Sequence, residues 1–317
     1  MKEIISYFYK INVIDEIIFD DKKIFKTDNS NYLYEEIDNP SQVLYIHNFN
    51  EELNKYKFFS YRFKTNIFNE IVSKYNGINF VLIDIGNKFK ETIDLDDMLI
   101  FYQESKNVLN HNIKYKNNWD ILWENKINYL SSHFDNNKLA NKNSYIVFNY
   151  YICIAEISLQ YLLNAKKVYK ENNVISFSHR RIYFPTKKLY FYNPLNFVID
   201  LEIRDISEYI KSLYYSNEDY ITELNYYLKT HKLDGYLSSL LYARIIYPSN
   251  FFDDYESGNI DLNKYLNFSL YEKFIKKIYD VISSYILIDR IDFLNWYVYN
   301  TFNIRKFFFY HIFNTII

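Results

Sequence analysis

The sequence predicts an α+β chain of two lobes, a small strand-rich N-terminal lobe over residues 1–86 and a large helical C-terminal lobe over 87–317. Three observations carry this. Before Gly86 the apolar residues fall in short runs, rich in Ile, Tyr and Phe, separated by Asp, Asn, Ser and Pro. Asn76-Gly77, the strongest short-range hairpin signal there is, stands between two such runs. After Gly86 the apolar residues recur at i, i+3 and i+4 over longer segments, the period of a helix. A hinge near 84–90 joins the two patterns.

In chain order, Ile14 to Phe19 and Lys23 to Lys26 flank Asp20-Asp21 and read as a hairpin. Tyr32 to Ile37 and Val43 to Ile46 are further short strand candidates. Phe49 to Phe58 reads as a helix, because Phe49, Leu53 and Tyr56 share one face. Asn66 to Tyr75 and Ile78 to Ile85 read as the two strands around Asn76-Gly77. Leu95 to Leu109 is helical, and Trp119 to Phe134 strongly so, with Trp119, Leu122, Trp123, Ile127 and Leu130 along one stripe. The segment 110–118, rich in Asn and Lys, reads as a solvated loop. Ser144 to Tyr169 is apolar nearly all round and so reads as a central helix. Residues 174–200 are β-like and contain Pro185 and Pro194; helices return at 203–214, 217–230, 233–247 and from 266 onward.

Composition removes several function classes. Of 317 residues, 49% are hydrophobic, enough for a sizeable core, and the net charge of -2 supplies no global field for nucleic acid or an anionic membrane. Cys153 is the single cysteine, in an apolar run, so neither an internal disulfide nor a thiolate metal cluster can form. The apolar stretches near 293–304 and 307–317 are short of a bilayer span and read as core helices. Acidic residues follow soon after the opening Met-Lys-Glu-Ile-Ile, unlike a signal peptide, and the expected location is cytoplasmic. His47, His111, His133, His231 and His311 lack ligand spacing, and no Gly-x-Ser-x-Gly elbow occurs. The 36 Tyr and 27 Phe fit an AT-rich coding bias, with a Tyr-rich contact surface as the other reading.

One stretch carries chemical information: Ser178-His179-Arg180-Arg181, then Phe197-Val198-Ile199-Asp200-Leu201-Glu202, then Arg204-Asp205-Ile206-Ser207-Glu208. It resembles the core of the aminoglycoside phosphotransferase and choline kinase-like families, which have a His-x-Asp catalytic loop, an Asn five residues after that Asp, and a downstream Ile-Asp pair. The resemblance implies a protein-kinase-like fold with a catalytic-loop-like insert at 174–200. In such enzymes the loop carboxylate positions the acceptor hydroxyl and a second carboxylate holds Mg²⁺ against the phosphates. Asp200, 21 residues after His179, matches the metal position, and Glu202 shares that reading. The catalytic positions are degenerate: Arg181 stands where the loop Asp belongs and Thr186 where the Asn belongs. A guanidinium neither accepts a proton nor ligates a metal, so the loss is worth on the order of 10²–10⁴-fold in rate. No glycine precedes Gly77, so a glycine-rich phosphate loop is missing, and Lys26 is the nearest candidate for the nucleotide-binding lysine, by location only.

A narrower resemblance covers roughly 60–260. Trp119-Asp120-Ile121-Leu122-Trp123-Glu124, Phe148-Asn149-Tyr150-Tyr151-Ile152-Cys153-Ile154-Ala155-Glu156 and Leu241-Tyr242-Ala243-Arg244-Ile245-Ile246-Tyr247-Pro248, together with Ser178-His179-Arg180-Arg181, are similar to the kinase-like spore-coat proteins of Gram-positive spore formers. That resemblance implies a non-catalytic, pseudokinase-type protein of the spore coat or of sporulation, whose partners are other proteins such as coat components, with no nucleic acid. The alternative it leaves is a divergent ATP-dependent phosphotransferase acting on a small-molecule alcohol, with Asp200 holding Mg. No cofactor is expected on the first reading, ATP and Mg on the second.

For each residue a plainer role stands beside the sharper one. Asp200 is a Mg²⁺ ligand or a helix cap; His179 is packed structurally behind the loop or is an acid–base group. Arg180 and Arg181, two of only seven arginines, belong to an ion-pair network with Asp200, Glu202 or Asp205, or form an anion site. Asp205 suits the positive end of the following helix.

Overall fold

The computed structural model describes residues 1–55, 60–109, 115–136, 142–258 and 260–288. In chain order the elements are α1 (Lys2–Tyr9), β1 (Asp15–Phe19), β2 (Lys22–Lys26), β3 (Asn31–Glu36), α2 (Pro40–Lys55), β4 (Arg62–Phe63), β5 (Ser73–Tyr75), β6 (Ile78–Asp84) and α3 (Leu95–Leu109). Then come α4 (Trp119–Asn136), α5 (Lys142–Val168), β7 (Ile175–His179), α6 (Lys188–Phe191), a 3-10 turn (Pro194–Asn196), β8 (Phe197–Leu201) and α7 (Ile203–Tyr215). The last are α8 (Tyr220–Thr230), α9 (Gly235–Ile246), α10 (Ser249–Glu256), α11 (Leu262–Tyr265) and α12 (Phe268–Tyr285). They gather into two compact units, Met1–Lys116 with Asn173–Glu218, and Asn117–Asn172 with Asp219–Ile317.

The first unit is built on an antiparallel sheet of order β1-β2-β3-β6-β4, with β5 paired to β6. Its register sets Ile17, Ile24, Leu33, Ile83 and Phe63 in one row across five strands. Because side chains alternate along a strand, that row defines one apolar face. Val43 of α2, Phe89 and Leu189 share this core. The other face carries Phe25, Tyr32, Tyr34, Phe80 and Leu82, and α1 covers it with Ile5 and Tyr9. The sheet is therefore buried on both sides, which explains why its strands read as apolar runs rather than strict alternations.

The turns follow the residues. Asp20 and Asp21 have φ of 48° and 64°, both left-handed, and form the two-residue link between β1 and β2. Asn76 and Gly77, at φ 49° and 84°, do the same between β5 and β6. Gly86, at φ 59°, ends β6 in the region glycine adopts at no steric cost.

Two expected strands are corrected. Val43 to Ile46 lies inside α2, which begins at Pro40, a residue that fits a helix start. Of Asn66 to Tyr75 only Ser73–Tyr75 is a strand. The reason is local: the Asn66 side-chain oxygen accepts from the Phe68 and Glu70 amides, at 2.9 and 3.0 Å, and folds the chain into a turn. The short helices α1, α6, α10 and α11 were not expected. Residues 56–58, 110–114 and 289–317, with His111, His311 and the two C-terminal apolar stretches, lie outside the described residues.

The second unit is helical. α9 is buried along almost its whole length and packs on α5. Ser144–Val168 is the one helix among the described residues long and apolar enough to cross a membrane, and most of that stretch is buried inside the fold, as a core helix is. Cys153 is buried on it. Aromatic rings fill this core: Tyr151 stacks on Phe251 at 4.5 Å, and Tyr242, Tyr265 and Tyr271 are each at most 2% exposed. Trp123 stacks on Tyr247 at 4.2 Å, and the Arg244 guanidinium lies 4.4 Å above Trp119. Tyrosines also stand on the surface, as at Tyr7, Tyr45 and Tyr183. The aromatic excess thus serves both core and surface.

Buried phenols make the fold sensitive to alkali. Burial pushes Tyr9, Tyr34, Tyr190 and Tyr192 up to about 12. A phenol whose value is raised by folding stabilises fully below its unfolded value of ~10, and that contribution is lost as pH rises toward the folded value. A spectrophotometric phenolate titration should therefore show a late phase approaching pH 12, coincident with loss of helical circular dichroism.

Candidate functional site

β7 and β8 form an antiparallel hairpin with Ser176 opposite Asp200 and His179 opposite Phe197. This ladder brings the two halves of the informative sequence together, with loop 180–196 as its connection. It sets His179 and Asp200 toward opposite ends.

His179 is 1% exposed and fully engaged. Its ring stacks on Phe191 at 4.3 Å and lies 5.3 Å from Phe101. Nε2 donates to the Phe191 carbonyl at 2.7 Å, and Nδ1 is hydrogen-bonded to Asp205 Oδ2 at 2.5 Å. The His179 backbone N–H donates to Asp205 Oδ1 at 3.0 Å, and the Tyr102 hydroxyl donates to Oδ2 at 3.1 Å. Asp205, 0% exposed in the first turn of α7, thus holds both the ring and the main chain at the loop entrance. An imidazole with both nitrogens bonded inside the protein offers neither to a substrate.

Asp200 is also occupied. Arg204, in the first turn of α7, donates from Nη1 to Oδ2 at 2.5 Å. The Tyr115 hydroxyl donates to Oδ1 at 2.5 Å, and the Leu201 amide to the same oxygen at 2.8 Å. Arg204 Nη2 further reaches the Arg180 carbonyl at 3.4 Å, tying Asp200 to the loop. Glu202, at the N-cap position of α7, makes no capping bond and is ion-paired with Lys106 instead. The Thr186 hydroxyl donates to the Tyr183 carbonyl at 2.7 Å. Arg181 is exposed and donates to the Arg180 carbonyl at 3.0 Å. Lys26 ends β2, opposite Asp15 and Asn31. Protein kinases carry their phosphate-binding lysine on the third strand, and β3 here, Asn31–Glu36, contains none.

These donors do not fit a Mg²⁺ ion. An ion that prefers six oxygen ligands would meet one carboxylate already neutralised by a guanidinium, a second paired with an ammonium, and a threonine spent on the backbone. Among the described residues no three His, Cys, Asp or Glu side chains stand close enough to share a metal.

Sequence reasoning missed Tyr102, Lys106 and Tyr115. They lie 103, 96 and 85 residues from the carboxylates they contact, counted as 205 − 102, 202 − 106 and 200 − 115, and no local pattern marks them. The plainer role expected for His179 is the one the geometry supports. The ion-pair network was expected of Arg180 and Arg181, whereas the arginine that pairs with Asp200 is Arg204.

Asp205 carries the largest local consequence. Asp205→Ala would strand the His179 ring, its amide and the Tyr102 hydroxyl in a dry environment, and removing one partner of such a buried pair costs about 3–5 kcal/mol. Urea unfolding should show that loss for Asp205→Ala, and a drop in midpoint several times smaller for Arg181→Ala on the surface.

Residues 2–280 match the family model described as "Spore coat putative kinase YutH". No curated protein matches the sequence. Among solved structures, the chain is similar to an aminoglycoside phosphotransferase from Alicyclobacillus acidocaldarius, at 10% identity and a TM-score of 0.64, covering 89% of this chain and 93% of that one. It is also similar to spectinomycin phosphotransferase in complex with ADP and spectinomycin, at 10% identity and a TM-score of 0.56, over 90% and 98% of the two chains. A third is amicoumacin kinase in complex with AMP-PNP and Ca²⁺, at 11% identity and a TM-score of 0.50, over 93% and 95%. The fold is that of the aminoglycoside phosphotransferases, and the chain belongs to the kinase-like spore-coat family.

Proposed function

We propose that this chain is a non-catalytic member of its family, which acts in the spore coat as a scaffold and binds other coat proteins through its surface. The observation that carries the reading is the state of Asp200. Its two oxygens are taken by Arg204 and Tyr115, while Arg181 replaces the carboxylate that phosphoryl transfer requires. The division into a strand-rich lobe, 1–86, and a helical lobe, 87–317, is part of this reading, as is the assignment of His179, Arg181 and Thr186 to a degenerate catalytic loop. The structural neighbours are named with ADP or AMP-PNP, so nucleotide binding is the property to test first.

Isothermal titration with Mg-ATP should give no binding heat, and a screen of aminosugars, choline and related alcohols should give no ATP-dependent phosphorylation. Submicromolar binding abolished by Asp200→Ala would overturn the scaffold reading in favour of a phosphotransferase that uses Asp200 for Mg²⁺.

A further inference from the structure

β1 is the outer strand of the sheet in the first unit: among the described residues it pairs with β2 alone. Residues that face each other across an antiparallel ladder alternate between pairs that exchange both backbone bonds and pairs that exchange none. The two-residue link Asp20-Asp21, left-handed at both positions, is closed by a bonded pair, here Phe19 with Lys22. Ile17 with Ile24 is then the next bonded pair, and Ile18, opposite Lys23, turns its N–H and carbonyl away from β2. Its side chain is 65% exposed. Glu16 also turns outward, but its amide already donates to Asp15 Oδ1 at 2.8 Å. The edge therefore offers a backbone donor and acceptor at Ile18 and an acceptor at Glu16.

An open edge is a template for another strand, and charge decides which strand. Residues 15–21, Asp15-Glu16-Ile17-Ile18-Phe19-Asp20-Asp21, hold four carboxylates and no cation. Lys2 and Lys23 approach Asp15 and Glu16 only to 3.6 and 3.9 Å, at partly exposed positions, and Lys187 pairs with Asp20. Asp21 is exposed and has no ion pair among the described residues. Ion pairs in contact with solvent hold their members weakly. A second copy is the wrong partner for this edge. With the Glu16 amide spent, the antiparallel self-pairing that keeps both bonds sets Ile18 against Ile18. That register puts Glu16 opposite Asp20 and Asp15 opposite Asp21, and like charges directly opposite destabilise a ladder.

We propose that the β1 edge receives a partner protein as an added antiparallel strand of the pattern basic-x-apolar-x-basic. The apolar residue pairs with Ile18, exchanging both backbone bonds, and the two cations meet Glu16 and Asp20. The carboxylates thus do two things: they forbid pairing between copies and select a basic strand. This deepens the scaffold reading and rests on it, by naming the surface and the kind of segment it takes.

Hydrogen exchange on the full chain, with the end-blocked peptide Ser-Lys-Thr-Val-Thr-Lys-Ser as probe, tests this. Without peptide the Ile17 amide should be protected and the Ile18 amide should not. At about 1 mM peptide, exchange at Ile18 should slow about twofold or more. A peptide with Glu in place of both lysines should leave Ile18 unchanged. So should one N-methylated at the valine, which lacks the donor for the Ile18 carbonyl. The double variant Glu16→Lys, Asp21→Lys should lose the effect of the lysine peptide. Ile18→Pro, tolerated on an edge strand, should lose peptide binding with its circular dichroism unchanged. Equal protection by the lysine and glutamate peptides, or none by either, overturns the proposal. Protection of Ile18 without peptide that grows with protein concentration overturns it too, because a second copy then holds the edge. Mg-ATP added to the same samples keeps the two readings apart. Phosphoryl transfer with peptide protection intact overturns the non-catalytic reading and supports the edge; no nucleotide binding and no peptide protection overturns the edge alone.

Discussion

The buried Asp205 carboxylate holds together the part of the molecule that most resembles an enzyme. It accepts from a backbone amide and a phenol and is hydrogen-bonded to an imidazole, all within 3.1 Å, at zero exposure. A carboxylate in so dry a place is tolerable only when its oxygens are fully bonded. That requirement fixes the end of β7, the start of α7 and the position of α3, which carries Tyr102. The loop from Arg180 onward hangs from this anchor.

The same economy explains the neighbouring carboxylates. In a phosphotransferase a divalent cation balances the charge on the strand-end aspartate. Here Arg204 does so from the first turn of α7, and Lys106 balances Glu202 from α3. A guanidinium tethered in the chain is always present, so the fold needs no metal to keep a nearly buried carboxylate satisfied. At the end of β8, Asp200 holds Arg204, and through it the Arg180 carbonyl.

Much of the fold was legible because it is written in local periodicity. The limits of Leu95–Leu109 follow from its stripe and from Asp94, which accepts from the Asp97 amide at 2.9 Å. The hairpin at Asn76-Gly77 and the long central helix α5 follow from equally local signals. Readings failed where a side chain redirected the backbone, as Asn66 does, or where a short apolar run suited either period, as at Val43 to Ile46. α6 has four residues and almost no period to read; it is held by bonds to Phe89 and Glu91.

By itself the sequence determined the α+β fold class and the family, because each is a matter of residue identity or short-range spacing. The tertiary structure alone decided what the remaining groups do. Whether Asp200 faces a metal or an arginine, and whether His179 is free or spent, depend on groups 4 to 85 residues away, counted from Asp200 with Arg204 and with Tyr115. Electrostatic neutralisation and packing act through space, and no pattern along the chain records which distant partner will supply them.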